Sequence, residues 1–559
     1  MNKWVWGLVV VAGAIAWHWL LPPQSVTLST SSTDEVPIRG AIHVHTQRSD
    51  GTGTVDDVAA AARRAGLQFV VFTDHGDGTR GSDTPVYRYG VLCIDAVEIS
   101  TNGGHVVALG LPQSQFPLAG ELADVLEDLR RMGAMSIAAH PDSPRAELRW
   151  HDWNAAFDGI EWLNGDSQWR DEGWATLGRA LFTYPFRRAA TLATLLDRPD
   201  DLLNRWDAMI RERSVVTVAA ADAHARVGPG GDPYGRSLSA HLPSYEQVFR
   251  ALSISLPRVQ LHGNAAEDAA VVLDAIRNGR VFSTIDALAS PATFTFTATS
   301  GAHQAVMGER LSPDGLVMLR VETNGPYGST IRLLSEGKAV ASGALPVLEY
   351  TAPSEAAAYR VEVESPGAPG SPAIPWLLSN PIYVGSEMPP ETSSQAAPIS
   401  ETVAVYSNGP AADWRVEKSV RSEGTIGVAK SVDGTQLLLR YGLGGTLSES
   451  PYVAAVVASG SDLARFTGIV FTARAMQPMR LTFQLRASGA ADRRWGRSVY
   501  LDNMARTVTI PFDEMLPLGA ATGRPSLEEV RDLLFVVDTV HAKQGSSGQV
   551  WFDEIGYVR

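Results

Sequence analysis

The sequence predicts an α/β domain followed by two all-β domains, with one hydrophobic segment in front of them. Residues 36–287 alternate short apolar runs with helical patterns, which is typical of an α/β domain. From residue 288 onward, short alternating runs separated by turn residues replace the helical pattern, as in β-sandwiches. Residues 4–21 form one apolar run without Lys, Arg, Asp or Glu. A chain of 559 residues is long enough for about three or four domains.

Residues 1–23 are predicted to be a transmembrane anchor or a signal peptide. The apolar run is close to the length that spans a bilayer, and Trp17 and Trp19 near its end are typical of an interfacial anchor. Ala14-Ile15-Ala16 would instead serve as a cleavage site for a signal peptidase. In both cases we expect the bulk of the chain outside the cytoplasm, in the periplasm or the extracellular space. The protein is membrane-anchored if the segment is retained and secreted if it is cleaved, and residues 24–36 form a linker.

Charge and cysteine content narrow the classes of partner and site. The 47 Lys and Arg against 61 Asp and Glu give a formal net charge of -14, which opposes general binding to nucleic acid, so no nucleic-acid partner is expected. Cys93 is the only cysteine, which excludes an intrachain disulfide and a thiolate metal cluster. A metal ion would therefore have to be held by His, Asp and Glu.

Histidines and carboxylates collect at the ends of the apolar runs in the α/β region. His43 and His45 alternate with Ile42 and Val44, so a regular strand would direct both imidazoles to the same side. Further runs are followed by Thr73-Asp74-His75, Glu98, His140-Pro141-Asp142 and Asp222-Ala223-His224, and His105 begins a strand. One such residue often caps a helix or closes a turn, but capping does not require histidine. The whole series is better explained by one shared site at the strand ends.

These motifs resemble those of the polymerase and histidinol phosphatase (PHP) domain family. The matching residues are His43-Val44-His45 with Ser49-Asp50-Gly51, Thr73-Asp74-His75, Glu98, His105, Ala139-His140-Pro141 and Asp222-Ala223-His224. The resemblance implies a distorted (β/α)7 barrel over residues 37–287. It also implies two or three divalent metal ions, and a set of nitrogen and oxygen ligands suits Zn, Mn or Fe.

The resemblance implies nine metal ligands. They are His43, His45, Asp50, His75, Glu98, His105, His140, Asp222 and His224. One ion would be held by His43, His45, Glu98 and Asp222, a second by His105 and His140 with Glu98 bridging, and a third by Asp50, His75 and His224. Asp50 occupies a place where other members have a histidine, so the third ion would differ in identity or occupancy. Glu98, Asp222 and His224 are the residues we expect to be catalytic, and Asp74 supports the ligands without being one.

The implied chemistry is hydrolysis by metal-activated water. Such a reaction needs no serine or cysteine nucleophile, and the sequence has no G-x-S-x-G or P-loop lysine motif. Arg80, Arg145 and Arg226 follow ligand motifs closely and would clamp a phosphoryl or carboxylate group, with a solvated loop charge or a salt bridge as the alternative for each. Glu161 and Asn164 end a strand and are candidates for structural support of the ligands.

Residues 166–210 are an insertion between two predicted strands. It contains Trp169, Trp174, Tyr184, Phe186 and Trp206 among helix-forming residues. These aromatic side chains either bury helices against the barrel or form a lid that recognises an aromatic or sugar-like group.

Two all-β regions come after the α/β region. Residues 288–385 are predicted to form an Ig-like β-sandwich, and a PHP domain followed by such a sandwich resembles the carbaryl-hydrolase-like branch of the family, which broadens the implied chemistry to esters and carbamates. Residues 386–399 form a linker rich in Pro, Ser, Glu and Thr. Residues 400–559 resemble a galactose-binding-like jelly roll. Its Trp414, Trp495 and Tyr500 either stack on sugar rings or lie in the core.

Two hypotheses about function result from these patterns. The first is an exported, metal-dependent hydrolase that cleaves a phosphoester or an ester- or carbamate-like bond in a small-molecule or glycan-linked substrate of the cell envelope. The alternative is an envelope glycan-binding or scaffold protein with a metal-stabilised barrel and a carbohydrate partner at the C-terminal domain. A nuclease is disfavoured by the acidic charge balance.

Overall fold

The computed structural model describes residues 21–30, 36–226, 242–385, 401–431, 434–460, 462–489 and 492–559. Most of the predicted anchor or signal peptide and the whole linker 386–399 lie outside the described residues. Within the described part of the chain, no helix is long and apolar enough to cross a membrane.

The first region alternates strands and helices. Its strands are β1 (Val26–Thr27), β2 (Ile38–Val44), β3 (Phe69–Phe72), β4 (Val86–Arg88), β5 (Val91–Asp95), β6 (Val97–Thr101), β7 (Gly104–Leu109), β8 (Met135–Ala138), β9 (Gly159–Asn164), β10 (Val216–Ala220), β11 (Ser253–Leu256) and β12 (Phe282–Thr284). Its helices are α1 (Val55–Ala65), α2 (Leu122–Met132), α3 (Trp174–Thr183), α4 (Arg188–Ala193), α5 (Asp200–Glu212), α6 (Tyr245–Ala251) and α7 (Ala265–Arg277). Parallel pairing joins β2 to β3, β3 to β5, β8 to β9 and β9 to β10. Parallel strands of this kind are characteristic of α/β folds.

Helix α1 shows how local sequence sets an element. Thr54 caps its first turn and accepts a hydrogen bond from the backbone N–H of Asp57, whose side chain accepts one from the N–H of Thr54 in return. The helix ends at Gly66, which has a left-handed backbone with φ of 79°. The glycine cap predicted at this position is therefore present.

Two sheets carry the strand ends that matter for function. Strands β6 to β10 form a five-stranded sheet in the order β10-β9-β8-β7-β6, whereas β2, β3 and β5 belong to a larger sheet. Isolated bridges pair Val44 with Ala223 and His75 with Glu98. These bridges bring the carboxyl ends of β2 and β3 next to β6 and the end of β10.

The second region is all-β. Its strands are β13 (Ala289–Ser290), β14 (Phe294–Ser300), β15 (His303–Val306), β16 (Arg310–Leu311), β17 (Val317–Thr323), β18 (Thr330–Ser335), β19 (Lys338–Ala344), β20 (Val347–Ala352), β21 (Ala357–Glu364), β22 (Leu377–Ser379) and β23 (Ile382–Val384). Buried and exposed residues alternate along β14 and β17, as expected for strands with one face on a core. Strand β22 pairs with both β12 and β21, so the larger sheet of the first region continues into the second.

The chain divides into two compact units. The described residues up to 76, together with 82–112 and 129–385, form the first unit, and residues 77–81, 113–128 and the described residues from 401 onward form the second. The predicted boundary at residue 288 thus falls inside the first unit, because the pairing of β12 with β22 makes one sheet of both regions.

The second unit is also rich in β-structure. Its strands are β24 (Thr402–Ser407), β25 (Trp414–Lys418), β26 (Glu423–Ser431), β27 (Gly434–Gly442), β28 (Tyr452–Ala458), β29 (Gly468–Ala475), β30 (Met479–Ala487), β31 (Arg493–Leu501), β32 (Arg506–Pro511), β33 (Leu516–Gly519), β34 (Val530–Asp538) and β35 (Ser547–Val558). They form two six-stranded sheets. Trp414 and Trp495 are 7% and 3% exposed and belong to the core of this unit, so they are unable to stack on a sugar.

A buried ion-pair network joins α5 to β21 inside the first unit. The Arg360 guanidinium donates to both carboxylate oxygens of Asp207, at 2.6 and 2.7 Å, and to Glu362 at 2.7 Å. Arg198 donates two further hydrogen bonds to Glu362. Because the Arg360, Asp207 and Glu362 side chains are all buried, each charge depends on the others for solvation.

We expect Arg360→Ala to lower the free energy of unfolding by about 3–5 kcal/mol, because it leaves a buried carboxylate without its partner. The matched control is Arg332→Ala, which breaks the partly exposed pair with Glu364 and should cost about 1 kcal/mol or less. Urea denaturation followed by tryptophan fluorescence measures both. Equal losses in the two variants would contradict the assignment of Arg360 as the anchor of α5.

Candidate metal centre

The nine predicted metal ligands lie together in the first unit. They form four overlapping groups, namely His45, Asp50, His75 and His224; His43, Glu98 and His140; His43, His45 and Asp222; and His75, Glu98 and His105. Within each group the potential ligand atoms all lie within 4.8 Å of one another. Atoms bound to one ion at about 2.1 Å are necessarily closer together than about 4.2 Å, so this spacing is close to that of a metal site.

The first position is surrounded by two histidines and two carboxylates. The Nε2 atoms of His43 and His45 each lie 3.2 Å from Glu98 Oε2. They lie 3.5 and 3.6 Å, respectively, from Asp222 Oδ1. Both Nε2 atoms are buried and have no hydrogen-bond partner. A buried nitrogen without a partner is costly, and a cation at this position would satisfy both.

The Glu98 carboxylate is shared between two positions. Its Oε2 faces His43 and His45, whereas its Oε1 lies 2.7 Å from His105 Nδ1 and 2.8 Å from His140 Nε2. The side chain is 1% exposed. One carboxylate therefore serves two neighbouring groups of histidines, as expected of a bridging ligand.

The third position is built around Asp50. Its Oδ2 lies 3.2 Å from His224 Nε2 and 3.7 Å from His75 Nε2. The other ring nitrogen of His75, Nδ1, lies 3.3 Å from Glu98 Oε2. Asp50 thus occupies the place predicted for it, at the outer edge of the cluster.

The end of β2 differs from the regular alternation that its sequence predicts. The pairing of β2 with β3 shifts register between Ala41 and Val44, and His43 has a left-handed backbone with φ of 63°. As a result Ile42 and Val44 pack into different core clusters. The two imidazoles still converge, with ring centroids 5.1 Å apart.

Backbone strain is concentrated at the ligands. His43, His140 and Asp222 have φ of 63°, 30° and 43°, a region that residues other than glycine rarely adopt. Each such residue costs about 1–3 kcal/mol, and strain of this kind clusters at functional sites. The strands therefore accept a local cost to aim these three side chains at one point.

Glu161 supports the histidines without belonging to any of the four groups. Its Oε1 lies 2.5 Å from His43 Nδ1, and its Oε2 accepts hydrogen bonds from the backbone N–H of His140 and from Asn164 Nδ2. Fixing Nδ1 of His43 leaves Nε2 aimed at the cluster. Glu161 and Asn164 are thus placed as the structural support that the sequence predicts.

Asp74 holds the loop after β2. It accepts hydrogen bonds from the backbone N–H and the hydroxyl of Thr46, both at 2.8 Å, and from the Ser49 hydroxyl at 2.7 Å. Gly51 closes this loop against His45, where an added Cβ would lie 2.3 Å from the carbonyl oxygen. The carboxylate of Asp74 thereby positions Asp50 indirectly, in the supporting place predicted for it.

Tyr245 is a positioning residue that the sequence did not reveal. Its buried hydroxyl lies 2.8 Å from the carbonyl oxygen of His45 and 3.2 Å from that of His224, and it accepts from the N–H of Gly53. It therefore ties together two ligand segments that are distant in sequence, since it lies 200 residues after His45 and 21 residues after His224. A tyrosine at the start of a helix carries no local signal of such a contact.

The electrostatics of the cluster favour positive charge. Burial, the largest influence, acts to lower the pKa of His43, but Glu161, Asp222 and Glu98 outweigh it and raise the pKa well above its ordinary value. Burial also opposes protonation of His224, yet the Asp50 hydrogen bond and the charges of Asp222 and Asp50 raise its pKa to about 10. The carboxylates consequently attract protons onto the histidines unless another cation is present.

The carboxylates show the opposite shift. Burial acts to raise the pKa of Glu98, Asp222 and Asp50, but the surrounding imidazoles lower all three. They are therefore ionised across the physiological range. His45, which is buried beside His224, has a lowered pKa and is neutral, as a metal ligand must be.

The three predicted substrate arginines are placed differently. Arg226 is half-buried and lines a cavity whose wall also includes Asp222 and His224. Arg145 is half-buried in the turn after His140, and Arg80 is exposed; neither lines that cavity. Of the three, Arg226 alone lines this cavity.

The insertion at residues 166–210 forms a large part of this cavity. It contributes Asp166, Gln168, Trp169 and residues of α3 and α4 to a space of about 580 Å³. Trp206 is buried in the core of the first unit instead, where its indole donates to the carbonyl oxygen of Val215. The insertion thus both packs on the sheet and shapes the space beside the cluster.

No protein-family model and no curated protein matches this chain. Among solved structures it is similar to the family 11 carbohydrate-binding module of the cellulase Lic26A-Cel5E of Clostridium thermocellum, at 16% identity and a TM-score of 0.24, covering 28% of this chain and 94% of the module. It is also similar to the family 30 module of Cel9D-Cel44B from the same organism, at 13% identity and a TM-score of 0.22, covering 28% of this chain and 96% of the module. TM-scores this low carry no argument about what this chain binds.

We expect Glu161→Gln to weaken metal binding by about 10- to 100-fold, because the amide no longer fixes the His43 ring as a charged acceptor does. Metal titration with a competing chelator measures the change. The control is Glu147→Gln, which changes an exposed carboxylate in the loop after His140. If both variants bind metal like the parent protein, Glu161 has no positioning role.

The metal-free protein is expected to lose thermal stability as the pH rises from 6.5 to 10. The pKa of His224 is raised from 6.5 to about 10 in the folded state, so its contribution is complete below pH 6.5 and disappears as the ring loses its proton. Added Zn²⁺ or Mn²⁺ should reverse the trend, since only the neutral ring binds metal. Melting curves of chelator-treated and metal-loaded protein test this, and a flat metal-free profile would contradict it.

Proposed function

We propose that this protein is a metal-dependent hydrolase of the PHP type, which acts outside the cytoplasm on a phosphoester or an ester- or carbamate-like bond. The observation that supports it is the clustering of nine potential ligands from separate segments of the chain, with Glu98 as the carboxylate shared by two of their groups. The order of the motifs along the chain and the two sheets that present them support the PHP assignment. The apolar run at residues 4–21 supports export.

The donor set fits divalent metal ions. The partnerless Nε2 atoms of His43 and His45 face two carboxylates in a buried site, and nitrogen and oxygen donors suit Zn, Mn or Fe. His43, His45, Glu98 and Asp222 would hold one ion, His105, His140 and Glu98 a second, and Asp50, His75 and His224 a third. Ions bound there supply Lewis acidity that lowers the pKa of water and polarises the bond under attack.

The residues of the chain divide the remaining work. Glu98, which the sequence analysis predicts to be catalytic, is 1% exposed and does not line the cavity, so we assign it to holding the histidines in place and not to contact with the substrate. Asp222 and His224 border both the cluster and the cavity, so they meet the reacting group directly. Arg226 lines the same cavity and would neutralise an anionic oxygen of the substrate. This division matches a site that orients an ester beside activated water.

The alternative function, an envelope glycan-binding or scaffold protein, has less support. Two of its three candidate aromatic residues, Trp414 and Trp495, lie in the core of the second unit. The third, Tyr500, is half-buried and packs near Phe116 and under the Arg506 guanidinium. A sugar platform would have to be built from other residues.

Replacing His43 and His45 together by Ala is expected to abolish metal binding at the first position and to reduce hydrolysis by at least about 10³-fold, because two of four donors are lost. Metal content is measured by atomic emission, and activity on a panel of phosphoesters, carboxylic esters and carbamates.

The control for this experiment is His303→Ala, which removes an exposed histidine in β15 and should change neither quantity. Full activity of the double variant would contradict the proposed function. If the double variant loses its metal but the parent protein hydrolyses no substrate of the panel, the scaffold alternative is favoured.

A further inference from the structure

The cavity beside the metal cluster has one polar side and one apolar side. Its charged lining residues come from the segments after β9 and β10, namely Asp166, Asp222, His224 and Arg226, and Gln168 lies beside them. Tyr184 and Thr191 add two polar groups on the side of the helices. Helices α3, α4 and α6, with the residues that directly follow α4 and α6, supply an apolar wall. It includes Leu177, Ala180, Leu192, Leu195, Val248 and Leu252. A site of this kind matches an amphiphile, with its polar end at the cluster and its apolar part against the helices.

The size of the cavity indicates a long apolar group. Its volume of about 580 Å³ lies in the range of about 300–1,000 Å³ that encloses ligands well beyond a simple ester. Each methylene buried there strengthens binding by about fourfold. An alkyl or acyl chain would therefore gain substantial affinity there.

The mouth of the cavity is also apolar. Trp174 and Leu181 on α3 line the cavity and are nevertheless 90% and 74% exposed. Single exposed apolar side chains are normal, but α3 carries three of them, since Phe182 is also 50% exposed, and such a group marks a surface for an apolar partner. Tryptophan in particular is favoured at the boundary between lipid and water.

The N-terminal segment indicates what that partner is. The predicted membrane segment ends at Leu21, and the carbonyl oxygen of the buried Pro22 accepts a hydrogen bond from Arg187, between α3 and α4. If residues 4–21 lie in a bilayer, Pro22 and Arg187 lie at its surface. The helix that forms the mouth of the cavity is then close to the lipid as well.

We propose that the cavity binds the alkyl or acyl chain of a membrane lipid and places its ester or phosphoester group at the metal cluster. This inference rests on the proposed hydrolase function and names its substrate class. Water attacks the carbonyl carbon or phosphorus, the bond to the leaving oxygen breaks, and that oxygen takes up a proton from water.

The first test compares chain lengths. Full-length, metal-loaded protein in phosphatidylcholine vesicles is given nitrophenyl butyrate and dodecanoate, and the nitrophenyl diesters of butyl and dodecyl phosphate. We expect kcat/KM to be higher for the long chain by about tenfold or more. Ala180→Trp, which fills the cavity, should lower this ratio about tenfold, whereas Ala175→Trp on the exposed side of the same helix should preserve it. The proposal is overturned if Ala180→Trp and Ala175→Trp show the same ratio of kcat/KM between long and short chains, or if the parent protein does not prefer the long chain.

The second test does not depend on turnover. A dodecyl phosphate with a diazirine at its terminal carbon is photolysed with metal-free protein in the same vesicles, and cross-linked peptides are mapped by mass spectrometry. We expect cross-links within residues 174–196 that disappear in Ala180→Trp and, should that variant misfold, in Leu177→Gln. Cross-links without hydrolysis would support binding of the alkyl chain in the cavity and contradict the proposed hydrolase function. Hydrolysis without these cross-links would support the hydrolase function and contradict binding of the alkyl chain in the cavity.

A substitution at the mouth of the cavity tests whether the substrate enters from the membrane. Leu181→Glu should lower turnover of the dodecyl substrate in vesicles several-fold, because a charge there opposes contact with the bilayer. An unchanged rate would show that free apolar esters enter from solution, and would overturn the membrane as the source.

Discussion

The position of one carboxylate, that of Glu98, organises the site. Its two oxygens face different pairs of imidazoles, within 2.7–3.2 Å, from a fully buried position on β6. A buried carboxylate is costly unless positive charge surrounds it. The strand ends of both sheets must therefore deliver histidines to this point, and the bridges that pair His75 with Glu98 and Val44 with Ala223 hold the two sheets in that register.

The need to surround the Glu98 carboxylate with histidines explains backbone conformations that are unfavourable for the individual residues. The left-handed conformations of His43, His140 and Asp222 are unfavourable in isolation, and they persist because backbone and side-chain hydrogen bonds surround them. Glu161 fixes two of these residues, and Tyr245 fixes the neighbouring backbone of His45 and His224. The stability of the surrounding sheets offsets the local strain.

The sequence predicted which polar residues cluster better than it predicted the structure around them. The alternation of strands and helices up to residue 284, the glycine cap at Gly66 and the all-β character of the chain beyond residue 288 are local patterns, and they appear in the structure. The six histidines stood out because helix capping does not require histidine, and the resemblance to the PHP motifs then implied the full set of nine ligand positions. The continuation of one sheet across residue 288 was not recognisable, since strand pairing between β12 and β22 joins residues nearly 100 positions apart.

The sequence by itself determined which residue types were available, because apolar periodicity sets strands and because only His, Asp and Glu remain as ligands in a chain with one cysteine. It did not determine where the side chains of these residues point. The register shift in β2 moves Ile42 and Val44 to different cores, and only the pairing with residues beyond β10 decides that His43 and His45 still converge. The cavity likewise exists only where α3, α4 and α6 meet the strand ends. Contacts between distant segments decide these features, because long-range packing overrides what each segment prefers alone.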